Sequence, residues 1–541
     1  MSSASRPSIA VAWALCLIAA PVLVQGVTRV LSAWTGAPHP ALFVTLAALA
    51  PTLIAGLVLL IRGKDVPAVA WMIAAGAGAM LVTLAALPVA LVAAALAGWL
   101  AARGLPRLAA VAPVPRGRLT GILWGVLAVV AVAQVGRMSV FMADPQIRWG
   151  ALGPAPFMQK HSCLSSYAHG AELARRGDAN IYDDRYGFTE DDDIPELPSA
   201  IDIGPLTMDT YEYPPQFLLL PRLLLVLTDE FLAIRALWFL LTAAALVGVT
   251  LALARWLGDE AGRRLRLLVP AIALAPPLLI TAYFGNFQLM AMGLSGLAML
   301  WIFNHRTRRG AALLAFLIGA KIFPGILGVY LLAARRFAAA AWTAAFAALY
   351  ALAALLWFGT RPFVDFFEYH LPRLASGETF GFLSLPSPSM GNLGIFGVPF
   401  KLRVAGWSGS EADAWALARQ LSWGYTLVIV ALAVYAGWRA GPANDAHSRA
   451  RLAGVWFGLL ALGSLRSPFA PPEALIPIVW ALALRAAAAR SRGEAALAVG
   501  LWISMMIVIP VPVAPAAIAG LALQAVIYAT AIGLVLGGRR G

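Results

Sequence analysis

One basic side chain lies inside an apolar stretch of the chain. Lys321 stands near the middle of the run 311–334, and Pro324 follows three residues later. An ammonium group at membrane depth costs free energy, so such a lysine usually has a function, and it would suit an anionic phosphate. The alternative is a lysine whose flexible stem carries the charge to an interface. The position in the middle of the run favours phosphate binding.

Two residues after the apolar run 119–140 could remove a proton from a hydroxyl group. Asp144 follows that run directly, where partial desolvation would raise the pKa of its carboxyl and strengthen it as a base. The alternative is an ordinary turn at a helix end. His161 carries an imidazole, a common general base, although a single histidine is often structural. Cys163 could act as a nucleophile, but no neighbour in the sequence completes a triad.

Aromatic and amide side chains in two segments could bind a sugar. Tyr211 and Tyr213 precede two prolines that direct the chain, and a tyrosine can stack on a sugar ring and bind its hydroxyl groups. The alternative is a pair of aromatic anchors at the membrane interface. Asn286 and Gln288 follow Gly285 at a turn between two apolar runs, where their amides could bind hydroxyl groups. The alternative there is a plain hairpin turn.

Two further charged features are candidates for binding sites. Arg466 ends an apolar run at the predicted outer face, against the trend of the other arginines, so it could bind an anionic group. The alternative is an ion pair with an acidic loop residue. The acidic run Glu190–Asp193 lacks the alternating spacing and the glycine of a calcium loop. We therefore interpret it as a solvated loop and expect no metal site.

The composition predicts an all-α polytopic membrane protein. The chain has 541 residues, of which 61% are hydrophobic and 12% charged, and its mean hydropathy is +0.80. Soluble domains carry roughly 25% charged residues. Backbone groups in lipid must pair within their own segment, so the apolar runs should be helices. The net charge of +14 does not indicate nucleic-acid binding, because the arginines form short clusters between apolar runs.

The apolar runs and the arginine clusters together predict a topology. All clusters fall on one side if 66–102 is a helical hairpin and 311–334 breaks and returns. Both termini are then cytoplasmic, and the outer face carries two loops, 141–230 and 359–414. Of the 26 acidic residues, 15 lie between positions 144 and 230. The predicted spans are 8–33, 41–61, 67–83, 85–102, 119–140, 231–254, 267–283, 287–304, 311–334, 338–358, 415–437, 450–466, 473–489, 494–511 and 515–537.

Two parts of the chain differ in character. Residues 1–110 are rich in alanine and leucine and contain no motif, so we expect accessory transmembrane helices there. Residues 118–540 should form the functional core. Within the first outer loop, the segment 162–176 has helical spacing of apolar residues and ends before Gly177, a natural helix stop. We predict an amphipathic helix there that lies on the membrane surface.

From about residue 118 to 480 the chain resembles glycosyltransferase family 87, a family of polyprenyl-phosphate-dependent mannosyltransferases in the GT-C superfamily. Several short motifs carry the resemblance in the right order. They are Tyr167…Ala171…Leu173…Gly177…Tyr182, Tyr213-Pro214-Pro215, Gly285-Asn286-Phe287-Gln288, Lys321…Pro324 with Arg335-Arg336, Ser389…Asn392 and Ser467-Pro468.

The resemblance implies a GT-C helix bundle that transfers a sugar from a lipid-phosphate donor at the outer face, without a metal or cofactor. It adds Tyr167 and Asn392 to the candidate sugar- or acceptor-binding residues. Members of the family use a carboxylate of the first outer loop as base, a few residues before the tyrosine of the loop helix. Here that stretch reads His161-Ser162-Cys163-Leu164, so the base is Asp144 or His161.

These expectations define a working hypothesis. A membrane glycosyltransferase would take a sugar, mannose by resemblance, from a polyprenyl-phosphate donor held by Lys321 and Arg466. The acceptor would be a glycolipid or glycan on the periplasmic side of a bacterial-type inner membrane. The alternatives are a transporter or flippase for a lipid-linked sugar, and a non-catalytic scaffold. The large acidic outer loop favours the enzyme, because transporters usually keep their loops short.

Overall fold

The computed structural model describes residues 118–177, 180–187, 196–507 and 511–537, with the single positions 25 and 509. The four predicted spans between residues 8 and 102 and the acidic run Glu190–Asp193 lie outside these described residues. Within them the fold is helical, and the one β-type pairing is an isolated bridge between His161 and Thr207. The predicted all-α membrane fold is confirmed.

The α-helices of the described residues are numbered in chain order. They are α1 Arg118–Ala143, α2 Pro156–Lys160, α3 Cys163–Arg176, α4 Leu219–Leu227, α5 Phe231–Leu257, α6 Asp259–Leu267, α7 Val269–Ala273, α8 Pro276–Phe284, α9 Gln288–Phe303, α10 Thr307–Lys321, α11 Gly325–Ala333, α12 Phe337–Phe358, α13 Arg361–Asp365, α14 Leu371–Ser376, α15 Pro386–Gly391, α16 Val398–Val404, α17 Glu411–Trp438, α18 Ala446–Ser464, α19 Ile476–Ala487, α20 Arg492–Ser504 and α21 Ala514–Leu536.

Single turns of tighter or wider helix join some of these elements. The 3₁₀ segments are Arg148–Gly150, Asp184–Tyr186, Pro215–Leu218, Glu378–Ser384, Ile395–Gly397 and Pro472–Leu475, and a π-helical segment covers Phe366–His370. The second outer loop, 359–414, is therefore built largely of short helices.

Five described helices are long and apolar enough to cross a membrane. They lie in α1, α5, α12, α17 and α21, and a sixth span arises if the bent pair α8 and α9 counts as one. Helices also occupy the other predicted spans of the described residues, but they are shorter or less apolar than this test requires. The sequence thus predicted the positions of the helices. Among the described residues, fewer helices than predicted are long and apolar enough to cross a membrane by themselves.

Two predicted spans are broken in the middle. The span 311–334 divides into α10 and α11 just after Lys321, as the proline at position 324 predicted. The span 267–283 divides into α7 and α8 at residues 274–275, where Pro276 and Pro277 start a new helix. Breaks of this kind leave backbone groups that need partners, so they occur where a span faces other protein or a polar cavity.

The loop helix α3 is confirmed in its bounds but not as a half-exposed surface helix. It runs from Cys163 to Arg176 and ends at Gly177, which adopts the left-handed conformation with φ of 72°. Eleven of its 14 residues are buried. Residues on both faces of the helix pack against protein, because the chain from 199 to 217 and α5 cover it. The predicted amphipathic stripe is thus the part of α3 that packs into the core.

Helix α9 packs closely against helices that follow it much later in the chain. A Cβ atom built on Gly293 would lie 2.6 Å from the Trp480 ring, and one on Gly296 would overlap the Phe457 ring. Small residues let helices approach one another in this way within membranes. The indole of Trp480 also donates a hydrogen bond to Thr250 Oγ1 at 3.0 Å. Helix α9 is therefore held tightly against α18, α19 and α5.

We expect Gly296→Leu to destabilise the protein by about 1–3 kcal/mol, because a buried Phe457 ring occupies the space that the new side chain needs. Thermal unfolding in detergent micelles measures the effect. Gly424→Leu on α17 is the matched control, since a Cβ there meets no atom within 4 Å. Equal melting temperatures for the two variants would contradict the packing argument.

Candidate functional site

Lys321 forms the centre of a polar cluster at the carboxyl end of α10. Its Nζ donates hydrogen bonds to the Tyr213 hydroxyl at 2.8 Å and to Asn286 Oδ1 at 3.3 Å, and it lies 4.2 Å from the centre of the Tyr213 ring. Within the described residues no carboxylate forms an ion pair with this ammonium. Since an ammonium has three donors, one N–H remains for a further acceptor.

The backbone after Lys321 is strained. Ile322 has a φ of +30°, a value that β-branched residues almost never adopt, and the helix stops there. Pro324 cannot extend the helix, so α11 begins anew at Gly325. Strained backbone of this kind persists only where the surrounding structure enforces it, and it is found most often at functional sites. The break therefore places the ammonium at a helix end and not on a helix flank.

The turn between α8 and α9 brings Asn286 to the lysine. The two helix axes meet at 114°. Gly285 adopts a φ of 69°, and a Cβ there would lie 3.3 Å from Leu164. The Asn286 Oδ1 atom accepts from both Lys321 and the Gln288 backbone N–H. Glycine thus allows both the turn and the close approach to α3, and the sequence correctly predicted this turn.

The tyrosines extend the network from α10 to α3 and α9. The hydroxyl groups of Tyr167 and Tyr213 lie 3.0 Å apart, and the Phe287 backbone N–H donates to Tyr167 at 3.2 Å. Tyr182 donates from its hydroxyl to the Tyr213 carbonyl at 3.0 Å. Of the three residues Tyr167, Tyr211 and Tyr213, only Tyr213 remains half-buried. Its hydroxyl is thus fixed by the Tyr167 hydroxyl and the Lys321 ammonium.

His161, Cys163 and Asp209 stand at the other end of this network. The His161 Nε2 atom lies 3.4 Å from Cys163 Sγ and 4.0 Å from Asp209 Oδ2. Asn286 Nδ2 lies 3.6 Å from the same sulfur, which links the group to Lys321. The side chains of His161 and Asp209 are 20% and 36% exposed, so this end of the network opens outward.

Local contacts hold His161 and Asp209 together although 48 residues separate them in the sequence. Thr207 N–H donates to the Lys160 carbonyl at 2.9 Å, and Asp209 N–H donates to Ser165 Oγ at 3.0 Å. The His161 ring stacks on Phe157 with centres 4.6 Å apart. The strand-like segment 207–209 therefore lies against the start of α3, and the imidazole orientation is fixed.

Burial governs the protonation of this group. It lowers the pKa of His161, an effect that the Asp209 carboxylate partly offsets. It raises the pKa of Asp209 and, well above the usual range, that of the Cys163 thiol. Burial also raises the pKa of Glu212 to about 8. The imidazole is therefore neutral and able to accept a proton near pH 7, whereas Cys163 stays a thiol, unsuited to nucleophilic attack.

The same three side chains could hold a metal ion. One ligand atom from each of His161, Cys163 and Asp209 lies within 4.8 Å of the other two. Nitrogen, sulfur and oxygen donors with an open fourth position would suit zinc. The expectation from the sequence was that no metal takes part, and the two uses of His161 exclude each other because both need its Nε2 lone pair.

Glu473 is a buried carboxylate near the lysine that the sequence reasoning missed. It lies in the 3₁₀ turn before α19, is 6% exposed, and its Oε2 atom has no hydrogen-bond partner. It interacts electrostatically with both Lys321 and Cys163. A glutamate directly after Pro471-Pro472 at the start of an apolar run was the signal that could have identified it.

The structure brings five of the predicted residues together and places others elsewhere. His161, Tyr167, Tyr213, Asn286 and Lys321 form one network of contacts. Asp144 lies at the end of α1, where its carboxylate accepts a hydrogen bond from the Gln146 backbone N–H at 3.0 Å. This is the ordinary turn at a helix end that the sequence analysis gave as the alternative to a catalytic base. Arg466 follows α18, and its Nε donates to Thr426 Oγ1 at 3.1 Å.

Four predicted sugar-binding residues are buried, which changes their interpretation. Tyr167 and Tyr211 expose 0% and 2% of their surface, so neither ring offers a face to a sugar. Tyr211 donates its hydroxyl to the Pro214 carbonyl at 3.1 Å, and Gln288 donates to Ser464 Oγ at 2.7 Å. These contacts give Tyr167, Tyr211 and Gln288 a role in positioning the network.

Asn392 is the fourth of these residues, and its partners are backbone groups. Its amide donates to the Pro468 carbonyl at 2.7 Å and accepts from the N–H groups of Gly394 and Ala470. It is fully buried. Its side chain therefore ties the second outer loop to the turn after α18.

We expect Asn392→Ala to lower the free energy of unfolding by about 2–4 kcal/mol, because three buried backbone groups lose their partner. Thermal unfolding in detergent checks this. Asn444→Ala, at an exposed loop position, is the matched control. A variant as stable as the control that nevertheless fails to bind acceptor would restore the sugar-binding interpretation of Asn392.

Comparison with known proteins agrees with the resemblance. The model of "Glycosyltransferase family 87" matches residues 211–468. That region includes Tyr213, the turn with Asn286, the break after Lys321 and the second outer loop, whereas His161 lies before it and Glu473 after it. The curated proteins and the solved structures contain no match to the chain. Residues 211–468 therefore resemble glycosyltransferase family 87, a family of the GT-C type, and this match supports a membrane glycosyltransferase.

Proposed function

We propose that the chain transfers a sugar, mannose by family resemblance, from a polyprenyl-phosphate donor to a hydroxyl group of a glycolipid or glycan. The observation that carries this proposal is the network from the Lys321 ammonium through Asn286 to His161. It connects a cation with a free N–H to a neutral base. A phosphate leaving group and an acceptor hydroxyl need those two functions in neighbouring positions.

Lys321 would bind the phosphate of the donor. When the bond between the sugar and the phosphate breaks, the phosphate oxygen takes the electron pair, and a fixed ammonium stabilises that growing charge. The hydrogen bonds from Lys321 to Tyr213 and Asn286 hold the ammonium in place before the donor arrives. Arg466 remains a candidate second cation, one that would have to leave Thr426 to reach the phosphate.

His161, assisted by Asp209, would accept the acceptor proton. The acceptor oxygen forms its bond to the sugar carbon while its proton passes to the imidazole. The resulting imidazolium is stabilised by the Asp209 carboxylate 4.0 Å away. This pair supplies the carboxylate that the family resemblance calls for, from a position 48 residues later in the chain. Asp144, the other candidate, accepts a hydrogen bond from the Gln146 backbone N–H in a turn at the end of α1.

The half-buried polar groups near the lysine would bind the sugar. Tyr213, Asn286 and Glu212 are each only partly buried. Burial raises the pKa of Glu212 to about 8, so at neutral pH its carboxyl group is largely protonated and can donate a hydrogen bond to a sugar oxygen. We place the site on the outer side of a bacterial-type inner membrane, with both termini cytoplasmic, by the arginine distribution.

We expect Lys321→Met to weaken binding of a polyprenyl-phosphate sugar tenfold or more and to slow transfer roughly 10²–10³-fold, because one charged donor to the phosphate is lost. Radiolabelled polyprenyl-phosphate mannose, with a membrane glycolipid extract as acceptor, measures both quantities for the protein in lipid. Arg264→Ala, an exposed cation on α6, is the control. Wild-type binding and transfer by a folded Lys321→Met protein would contradict the phosphate role.

We expect His161→Ala and Asp209→Asn to slow transfer roughly 10²–10⁴-fold while donor binding stays within about threefold, since a general base acts on the acceptor. Asp144→Asn serves as the comparison and should retain most of the activity. A loss confined to Asp144→Asn would make Asp144 the base.

Treatment with EDTA separates the acid–base role of His161 from metal binding. Activity that survives the chelator supports a free imidazole. Activity that is lost with EDTA and restored by zinc would assign His161, Cys163 and Asp209 to a metal ion instead. Donor binding without any transfer, in the wild-type protein, would favour the transporter alternative.

A further inference from the structure

A second cationic site lies at the opposite end of α9 and α10 from Lys321. A cavity of about 1270 Å³ opens among the ends of α5, α6 and α9, the start of α18 and the loop 440–444. Helix α10 has 15 residues, begins beside this cavity and ends at Lys321. At about 1.5 Å per residue the two places are roughly 20 Å apart. The cavity is therefore separate from the candidate transfer site.

The charge of the cavity wall is positive. Five arginines line it, and none of the lining residues that the structure describes is acidic; the arginines are Arg255, Arg266, Arg306, Arg336 and Arg449. Among the described residues, none of the five forms an ion pair with a carboxylate. A concave wall of one charge sign concentrates ions of the opposite sign. The wall is thus suited to an anion.

Arg266 gives the strongest indication of a missing ligand. It is 7% exposed, lines the cavity, and its Nε–H has no hydrogen-bond partner. A guanidinium this deeply buried is normally paired or fully hydrogen-bonded, because an unsatisfied charged donor is costly. By contrast, Arg449 donates to the Trp256 carbonyl at 2.9 Å and so caps the end of α5. The Nε–H group of Arg266 is therefore a buried donor to which a ligand could supply the acceptor.

The remaining wall is apolar and aromatic. Trp256, Trp301 and Leu300 contribute to it, and the Arg336 guanidinium lies 4.8 Å from the centre of the Phe303 ring. Such a wall fits a ligand with a phosphate on one side and hydrocarbon on the other. Planar guanidinium groups match phosphate oxygens in a bidentate fashion, so the arginines of this wall are suited to a phosphate group.

We propose that this cavity binds the phosphate headgroup of an anionic lipid from the leaflet opposite the transfer site. The arginine clusters place this leaflet on the cytoplasmic side, where anionic lipids attract basic pockets between helices. The proposal does not depend on the transfer reaction. Its ligand chemistry, a phosphate ester, is shared by a membrane phospholipid and by free phosphate, and the experiment separates these sources.

The test measures binding of short-chain phosphatidylglycerol to the delipidated full-length protein, with phosphatidylcholine and inorganic phosphate as the other ligands. We expect Arg306→Gln combined with Arg336→Gln to weaken phosphatidylglycerol binding roughly 30-fold, because two cations at the cavity mouth are removed. Arg266→Gln should weaken it as well. Phosphatidylcholine should bind much more weakly to every variant.

Arg308→Gln combined with Arg309→Gln is the matched control. Both residues lie within three positions of Arg306 in the sequence, but neither lines the cavity. It should bind phosphatidylglycerol like the wild type. Equal losses in the two double variants would overturn the proposal, since general surface charge would then explain binding. Inorganic phosphate that competes at the same concentration as the lipid would overturn the lipid assignment.

Discussion

The candidate site depends on an ammonium group that is held in a half-buried position and forms no direct ion pair with any carboxylate of the described residues. Lys321 is kept there by two neutral acceptors, the Tyr213 hydroxyl and the Asn286 amide. Neutral acceptors fix a cation without cancelling its charge, so the ammonium remains attractive to an anionic ligand. The break at Ile322, the bend at Gly285 and the two prolines after Tyr213 all serve to bring these three groups to one point.

The two outer loops support this arrangement by packing on one another. The His370 imidazole lies 3.2 Å from the Glu212 carbonyl and stacks on Tyr182, while Arg373 pairs with Asp184 and Glu378. The segment that carries Tyr213 is therefore fixed from both loops. A fixed site binds its transition state without reorganisation, which is the usual origin of electrostatic catalysis. The acidic first loop is thus a structural frame as well as a part of the site.

Helices α9 and α10 connect the two cationic regions of the molecule. Both run between the network around Lys321 and the arginine-lined cavity. A transferase with the proposed lipid-linked donor has to lie at a defined depth in the membrane. A lipid headgroup bound by the arginines at one end of these rigid helices would set the depth of the polar network at the other.

The sequence by itself determined the helical membrane fold, the break after Lys321 and the turn at Gly285, because hydropathy, proline and glycine act locally. Only the tertiary structure decided which candidates meet. Asp209 lies beside His161 and Glu473 near Lys321 through contacts between distant segments, which no local pattern encodes. The burial of four polar residues could likewise not be predicted; they are Tyr167, Tyr211, Gln288 and Asn392. A sequence does not show whether a polar side chain has a ligand or the backbone as its partner.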